Sequence, residues 1–296
     1  MIFTQMIVLF GLIAVGYLAN RTGVMDGDSN KKISRLLVNV TIPALILSSA
    51  AGHEMEDKTK VLVVLGAAAA MFVVTPLISL VIVRKLKLDN TYELMLNYSN
   101  LGFMGIPIIS GIYGSGSVFY VSLFMMVFNI SLFSHGVYIL QRGREGGGDT
   151  LKNMLNPGIV SSLAAVAVFL FEVPIPAPLL DLLNAVGGIT SPLAMIVIGS
   201  TMAAVKLSDV IRDKMICFYT ILKIAIYPAL IWFLFHFFIQ DPMVLGIAVV
   251  LSGLPTAGNV SMVCSEYNGN LQLVTKGTFL TTLCSVLTIP VWMSIF

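Results

Sequence analysis

The chain has 296 residues, 57% of them hydrophobic and 11% charged, with a formal net charge of +2 and a mean hydropathy of +0.94. An ordinary soluble domain carries about a quarter charged residues, so this chain is solvated chiefly by lipid, and its length reads as one integral membrane unit. The charge balance is too small to suggest a nucleic-acid partner.

The opening stretch, MIFTQMIVLFGLIAVGYLAN, lacks a basic leader region and a small-residue cleavage site, so it is expected to be a retained span and not a signal peptide. A helix needs about 20 mostly apolar residues to cross a bilayer. By that rule ten segments follow one another, near 2–20, 34–51, 61–83, 93–111, 117–140, 155–171, 184–205, 214–239, 243–265 and 277–295. The connections between them share Lys and Arg unevenly. Odd connections hold fourteen, among them Arg21, Lys31, Lys32, Arg35, Arg84, Lys85, Arg142, Arg144 and Lys206, whereas even ones hold only Lys58 and Lys60. The excess of basic residues marks the cytoplasmic side, which places both termini outside and makes the cell (inner) membrane the expected location.

A basic central connection at 142–153 divides the ten segments into halves, 1–141 and 154–296, and three prolines recur between them. Pro43 in "TIP" pairs with Pro192 in "TSP", Pro76 with Pro228, and Pro107 in "GIP" with Pro255 in "GLP"; the first and third prolines are 64 residues apart in one half and 63 in the other. Five spans per half is an odd number, so the second half enters the membrane inverted. The predicted fold is therefore an all-α membrane protein of ten transmembrane helices in two inverted five-helix repeats. In transporters so built, substrate sites lie at the midplane between broken helices.

The fourth segment carries NLGFMGIPIISGIYG, with Asn100, Gly105 and Pro107 inside an otherwise apolar run. Proline removes a helix hydrogen bond, so a break is expected near Gly105 and Pro107. A matching break is expected at Pro255 in the ninth segment. Irregular backbone at that depth is tolerated only inside protein or against a water-filled cavity. Crossed helices 4 and 9 would bring half-helix ends together, and free amides at a helix N-terminus suit a carboxylate. The other reading is that these prolines are packing kinks.

The string NLGFMGIP, with Leu254 and Pro255, the SEY at Ser265 to Tyr267 and the late TIPVW, resembles the auxin efflux carrier family along essentially the whole chain. The resemblance implies a fold similar to that of bile-acid symporters, with a scaffold, a transport bundle, crossed helices at spans four and nine, and elevator-type alternating access. It also carries Asn100, Pro107 and Pro255 over as crossover and substrate-pocket positions. Its substrates would be small organic anions such as malate, malonate or auxin-like acids. Two departures stand out. The central connection QRGREGGGDT is short where plant members have a long hydrophilic loop, and residues 61–83 contain no Asp or Glu for the carboxylate that plant members are thought to use there.

Several polar residues remain to be placed. Asn97 and Asn100 share one face of a helix, and Asn259 lies about one turn beyond Pro255, with Thr256 and Ser252 flanking the same break. His135 reads as an interhelical hydrogen-bonder more readily than as a proton carrier. Glu93 and Glu266 read as solvated helix ends. Lys223, about ten residues into the eighth span, is the one cation deep in a segment, and a charge there costs about 2.5–3.5 kcal/mol even on lenient insertion scales. It is expected to be a counter-charge for an anionic substrate or a proton-exchanging group, the alternative being that it snorkels to the interface or caps carbonyls freed by Pro228. Cys217, Cys264 and Cys284 are scattered in apolar runs without CxxC spacing and read as packing residues, not as metal ligands or a disulfide.

Protease and phosphate-loop motifs fail on context. GGGD at Gly146 to Asp149 lies in a hydrophilic connection with no partner Asp inside a span, no HExxH occurs, and GREGGGDT lacks the Lys-Ser/Thr of a phosphate loop. No enzyme activity and no cofactor are expected, beyond a coupling ion, H+ or Na+. The expected partners are a small organic anion and the lipid bilayer, with a homodimer left open. The expected function is secondary active transport of that anion. An ion or solute channel, or a membrane scaffold that transports nothing, is the alternative.

Overall fold

All ten apolar segments fall mainly on helix, and no strand forms among the described residues of the computed structural model, which are 2–51, 58–142, 157–203, 210–267 and 269–295. In chain order the helices are α1 (Ile2–Arg21), α2 (Gly27–Leu36), α3 (Ile42–Ala51), α4 (Lys58–Leu86), α5 (Asn90–Asn97), α6 (Ile106–Tyr113), α7 (Ser117–Ser131) and α8 (Val137–Gln141). There follow α9 (Pro157–Leu170), α10 (Ala177–Gly188), α11 (Thr190–Met202), α12 (Lys214–Ile221), α13 (Tyr227–Phe235), α14 (Pro242–Ser252), α15 (Gly258–Glu266) and α16 (Leu271–Met293). Five stretches are long and apolar enough to cross a membrane, Thr59–Leu86, Ser117–Gln141, Ala177–Met202, Lys214–Phe235 and Leu271–Met293, and Ile7–Arg21, Leu101–Tyr113 and Pro242–Ser252 are shorter apolar helices. Of the central connection at 142–153, only Arg142 lies within the described residues, and Lys206 lies outside them.

Polar caps set several helix starts. Asp26 accepts from the Ser29 amide at 2.7 Å, Asp89 from Thr91 at 2.7 Å, Asp241 from Met243 at 2.9 Å and Asn270 from Leu273 at 3.0 Å, each satisfying a first-turn N–H that has no helical partner.

Prolines set the irregularities inside the helices. π-helical turns occupy Leu37–Thr41, Leu101–Gly105 and Leu222–Ile226, and each ends two residues before a proline, at Pro43, Pro107 and Pro228. A proline ring clashes with the carbonyl four residues back, and a wider turn relieves the clash. The carbonyl that Pro228 deprives of its donor, that of Ile224, takes the Trp292 indole N–H at 2.9 Å. Pro76 instead sits in the uninterrupted α4, and Pro192 falls in the first turn of α11. Prolines paired in sequence therefore differ in local backbone, because a turn can absorb a proline in more than one way.

The chain packs as two units, one of residues Met1–Leu62, Gly102–Met126 and Asn156–Val205, the other of Val63–Leu101, Val127–Leu155 and Lys206–Phe296. In the first unit α1 lies along α11 at backbone contact. A Cβ at Gly16 would strike the Ile196 carbonyl, and one at Gly199 the Ile13 carbonyl; small residues allow such approach in lipid, where packing drives helix association. The Asn20 amide donates to Ser200 Oγ at 3.1 Å across the same pair, and Met25, Leu37, Ala194 and Val197 form a buried cluster beside it. Gly199→Ala should separate the two helices and lower stability by about 1–3 kcal/mol, the range for overpacking. Thermal unfolding in detergent checks this, with Gly188→Ala, where a Cβ meets nothing, as the control.

Candidate functional site

The second unit contains the break. The α5 helix stops at Asn97 and Tyr98 turns extended, while α14 stops at Ser252 and the chain continues through residues 253–257 before α15 begins. The two interruptions cross. Asn100 N–H donates to the Pro255 carbonyl at 2.7 Å and Ala257 N–H to the Tyr98 carbonyl at 3.0 Å, so Ser99 and Thr256 face each other in one antiparallel bridge. Ser99 Oγ adds a bond to the Ser252 carbonyl at 3.2 Å. Backbone groups that neither helix can satisfy thus satisfy one another, as burial requires.

This moves the first break away from its expected place. The chain leaves helix at 98–100, whereas Gly105 closes a π turn that runs without interruption into α6, and Pro107 lies within that continuous helix, Leu101–Tyr113. Gly105 and Pro107 are both buried, and both belong to the first unit. Asn97, Asn100, Lys223, Pro255, Thr256 and Asn259 all belong to the second.

The carbonyls ending α5 are held by side chains from the segment at 214–226. Tyr219 Oη donates to the Met95 carbonyl at 3.4 Å and also bonds the Thr256 hydroxyl, which lies on the other crossing strand. Lys223 Nζ donates to the Leu96 carbonyl at 2.5 Å and lies 5.7 Å from the centre of the Tyr227 ring. Lys223 is 1% exposed and forms no ion pair among the described residues. An ammonium has three donors, and the Leu96 carbonyl uses one. Its charge also suits the partially negative end of α5.

Asn97 is the second conspicuous group. Its side chain is 4% exposed, and neither Oδ1 nor Nδ2 has a hydrogen-bond partner among the described residues. Buried amides without partners are rare enough to need a reason. Asn100 and Asn259 are half-buried, and Thr256 is fully buried with its hydroxyl engaged by Tyr219. The first turn of α15, preceded by Ala257, carries no side-chain cap, and Gly258 is exposed.

Glu93 corrects an expectation. It is not a solvated helix end; it is wholly buried and bound in a two-pronged ion pair, Oε2 to Arg142 Nη1 at 3.0 Å and Oε1 to Arg142 Nη2 at 3.2 Å. Arg142 supplies the counter-charge that a buried carboxylate requires. The pair stands beside a small cavity lined by Asp89, Asn90, Thr91, Leu140, Arg142, Gly269 and Asn270. The side chain of Glu266 lies outside the described residues. His135 Nδ1 lies 3.2 Å from the hydroxyl of Tyr98, which stands in the break just past the end of α5.

Sequence reading missed Tyr219 and Ser99. Tyr219 was detectable in principle, since it lies four residues before Lys223 and so on the same helix face. Ser99, between two noticed asparagines, gave no such signal.

The membrane transport protein family model matches residues 1–150 and 146–293. The chain belongs to that family. This is the auxin efflux carrier family to which its motifs point, and the apolar helices and crossed breaks are thus those of a membrane transport protein. A relative from Rhizobium meliloti, described as a "Putative malonate transporter", is 25% identical over 295 residues, covering 95% of this chain and 91% of its own. An uncharacterized transporter of Methanothermobacter thermautotrophicus is 22% identical over 288 residues, covering 95% and 94%. Another from Methanocaldococcus jannaschii is 20% identical over 294 residues, with the same coverage.

Proposed function

We propose that this family member is a secondary active transporter that moves a small organic anion, a carboxylate of the malonate kind, and that the crossing of residues 98–100 with 255–257 is its binding site. The observation that carries the reading is that Lys223, buried and in no ion pair among the described residues, bonds the carbonyl of Leu96, the residue next to Asn97, whose buried amide has no hydrogen-bond partner among them. Lys223 has donors to spare, and Asn97 makes no side-chain hydrogen bond among the described residues. A carboxylate satisfies both: it supplies the missing charge and accepts from the ammonium and from Asn97 Nδ2. In this reading Asn100, Asn259, Pro255 and Thr256 shape the pocket, while Gly105 and Pro107 shape the segment that follows the first break. Ten spans in two inverted repeats, 1–141 and 154–296, both termini outside the inner membrane, and elevator-type access complete the proposal. The name of the Rhizobium meliloti relative supports the choice of malonate as first substrate.

The purified chain in liposomes should take up malonate saturably and show counterflow, which a channel does not. Asn97→Leu separates the pocket from a mere packing defect. Replacing an unsatisfied buried amide by an apolar group of similar shape should stabilise the empty protein by about 1–3 kcal/mol. It should also abolish both the melting shift given by malonate and its uptake. Uptake by Asn97→Leu equal to that of the original protein would remove the site from the crossing.

A further inference from the structure

One irregular turn has no proline to cause it. Of the four π turns among the described residues, three precede Pro43, Pro107 and Pro228 by the same spacing, but the fourth, Leu132–Gly136, is followed by no proline before Pro157. π turns of this kind concentrate at functional sites. This one brings His135 and Gly136 against Tyr98. A Cβ at Gly136 would lie 3.2 Å from Tyr98 Cε2 and 3.0 Å from Leu94 Cδ1, so the absent side chain makes room for the Tyr98 ring. His135 Nδ1 then meets the Tyr98 hydroxyl at 3.2 Å.

The hydrogen bonds fix the tautomer. Tyr98 Oη lies 2.9 Å from the Ser131 carbonyl, which can only accept, so the phenol proton goes there. His135 Nδ1 and Ser131 Oγ, at 3.2 and 2.9 Å, must therefore donate to Tyr98 Oη. With its proton on Nδ1, the neutral imidazole has its lone pair on Nε2. That atom has no partner among the described residues, and His135 is only half-buried. The imidazole is thus held by one nitrogen and open to a proton at the other.

Tyr98 belongs to the crossing as well, its carbonyl accepting from Ala257 N–H at 3.0 Å. One residue therefore touches His135 by its hydroxyl and the opposite crossing strand by its carbonyl. The charged groups facing His135 are Glu93, on α5, and Arg142, just beyond α8, paired with each other over the Tyr138 ring. From α4 comes Phe72, stacked on Tyr98 at 6.3 Å between ring centres, and no ionisable residue occurs from Val61 to Val83.

We propose that His135 is the proton-binding group that couples carboxylate movement to a pH gradient, with Tyr98 positioning its ring and linking it to the crossing. The inference rests on the carrier reading. A proton from water bonds to Nε2, forming imidazolium with the Nδ1–H bond to Tyr98 unchanged, and the same proton returns to water on the other side. Histidine is suited to this because its charge changes near neutral pH.

Two measurements test it. In protein labelled with 15N histidine, His135, assigned by loss of its signals in His135→Gln, should keep Nδ1 protonated while Nε2 titrates. Tyr98→Phe should release the second tautomer. In liposomes, the stimulation of malonate uptake by an imposed pH gradient should be lost in His135→Gln. A proton on Nε2 in the neutral ring, or no titration, overturns the proton site. A wild-type protein that responds to the gradient alongside an equally responsive His135→Gln overturns the coupling role alone. A wild-type protein that takes up no malonate while His135 titrates as described overturns the carrier reading and the coupling role together.

Discussion

Arg142→Met should destabilise the folded protein by about 3–5 kcal/mol, the cost of leaving a buried charge without its partner. The asymmetry of the pair makes the result specific. The Glu93 side chain is 0% exposed and that of Arg142 22% exposed, so removing the arginine strands a carboxylate that cannot reach water. Glu93→Gln leaves a guanidinium that can, and it should cost clearly less. Replacing both, as Glu93→Leu with Arg142→Met, should recover most of the loss, because apolar packing of similar volume is often as stable as a buried pair. Unfolding can be followed by a thiol-reactive dye once the partly exposed Cys217 and Cys284 are replaced by alanine, since Cys264 is buried in the same unit. Equal losses in the two single variants would mean that the pair is solvated and that both groups read as an ordinary helix end.

That pair shows where the sequence was legible and where it was not. Apolar segments are legible because lipid demands that each span satisfy its own backbone, so a run of about 20 residues is a nearly sufficient signal. Buried polar contacts are not, because their partners are distant in the chain. Glu93 looks like a helix end until Arg142, 49 residues on, closes over it. The same applies at the crossing. Proline gave the wrong place for the first break, since a π turn absorbs Pro107 within a continuous helix. The break at 98–100 has no proline; it exists because 255–257 supplies its hydrogen bonds. Lys223 was visible as a buried charge, but the Leu96 carbonyl it holds is main chain and carries no side-chain signature.

Lys223→Met should abolish carboxylate uptake while leaving the protein folded. The substitution keeps the apolar stem and removes the ammonium. On the stability side two effects oppose each other. The bond to the Leu96 carbonyl is lost, about 1.5–3 kcal/mol for a bond to a charged group, and the cost of holding a charge in the membrane, about 2.5–3.5 kcal/mol, disappears with it. They nearly cancel, so melting should move little. On the transport side nothing offsets the loss. A buried charge partner is worth about 2–5 kcal/mol, which at tenfold per 1.4 kcal/mol is a fall in affinity from about thirtyfold to several thousandfold. Lys223→Arg separates charge from shape. It restores the positive charge but replaces a compact three-donor group with a planar fork, which must fit between the Leu96 carbonyl and the Tyr227 ring. Partial uptake in Lys223→Arg and none in Lys223→Met, at equal protein levels, is the pattern of a counter-charge. Uptake by Lys223→Met at the wild-type rate would leave the ammonium as the cap of α5 and nothing more.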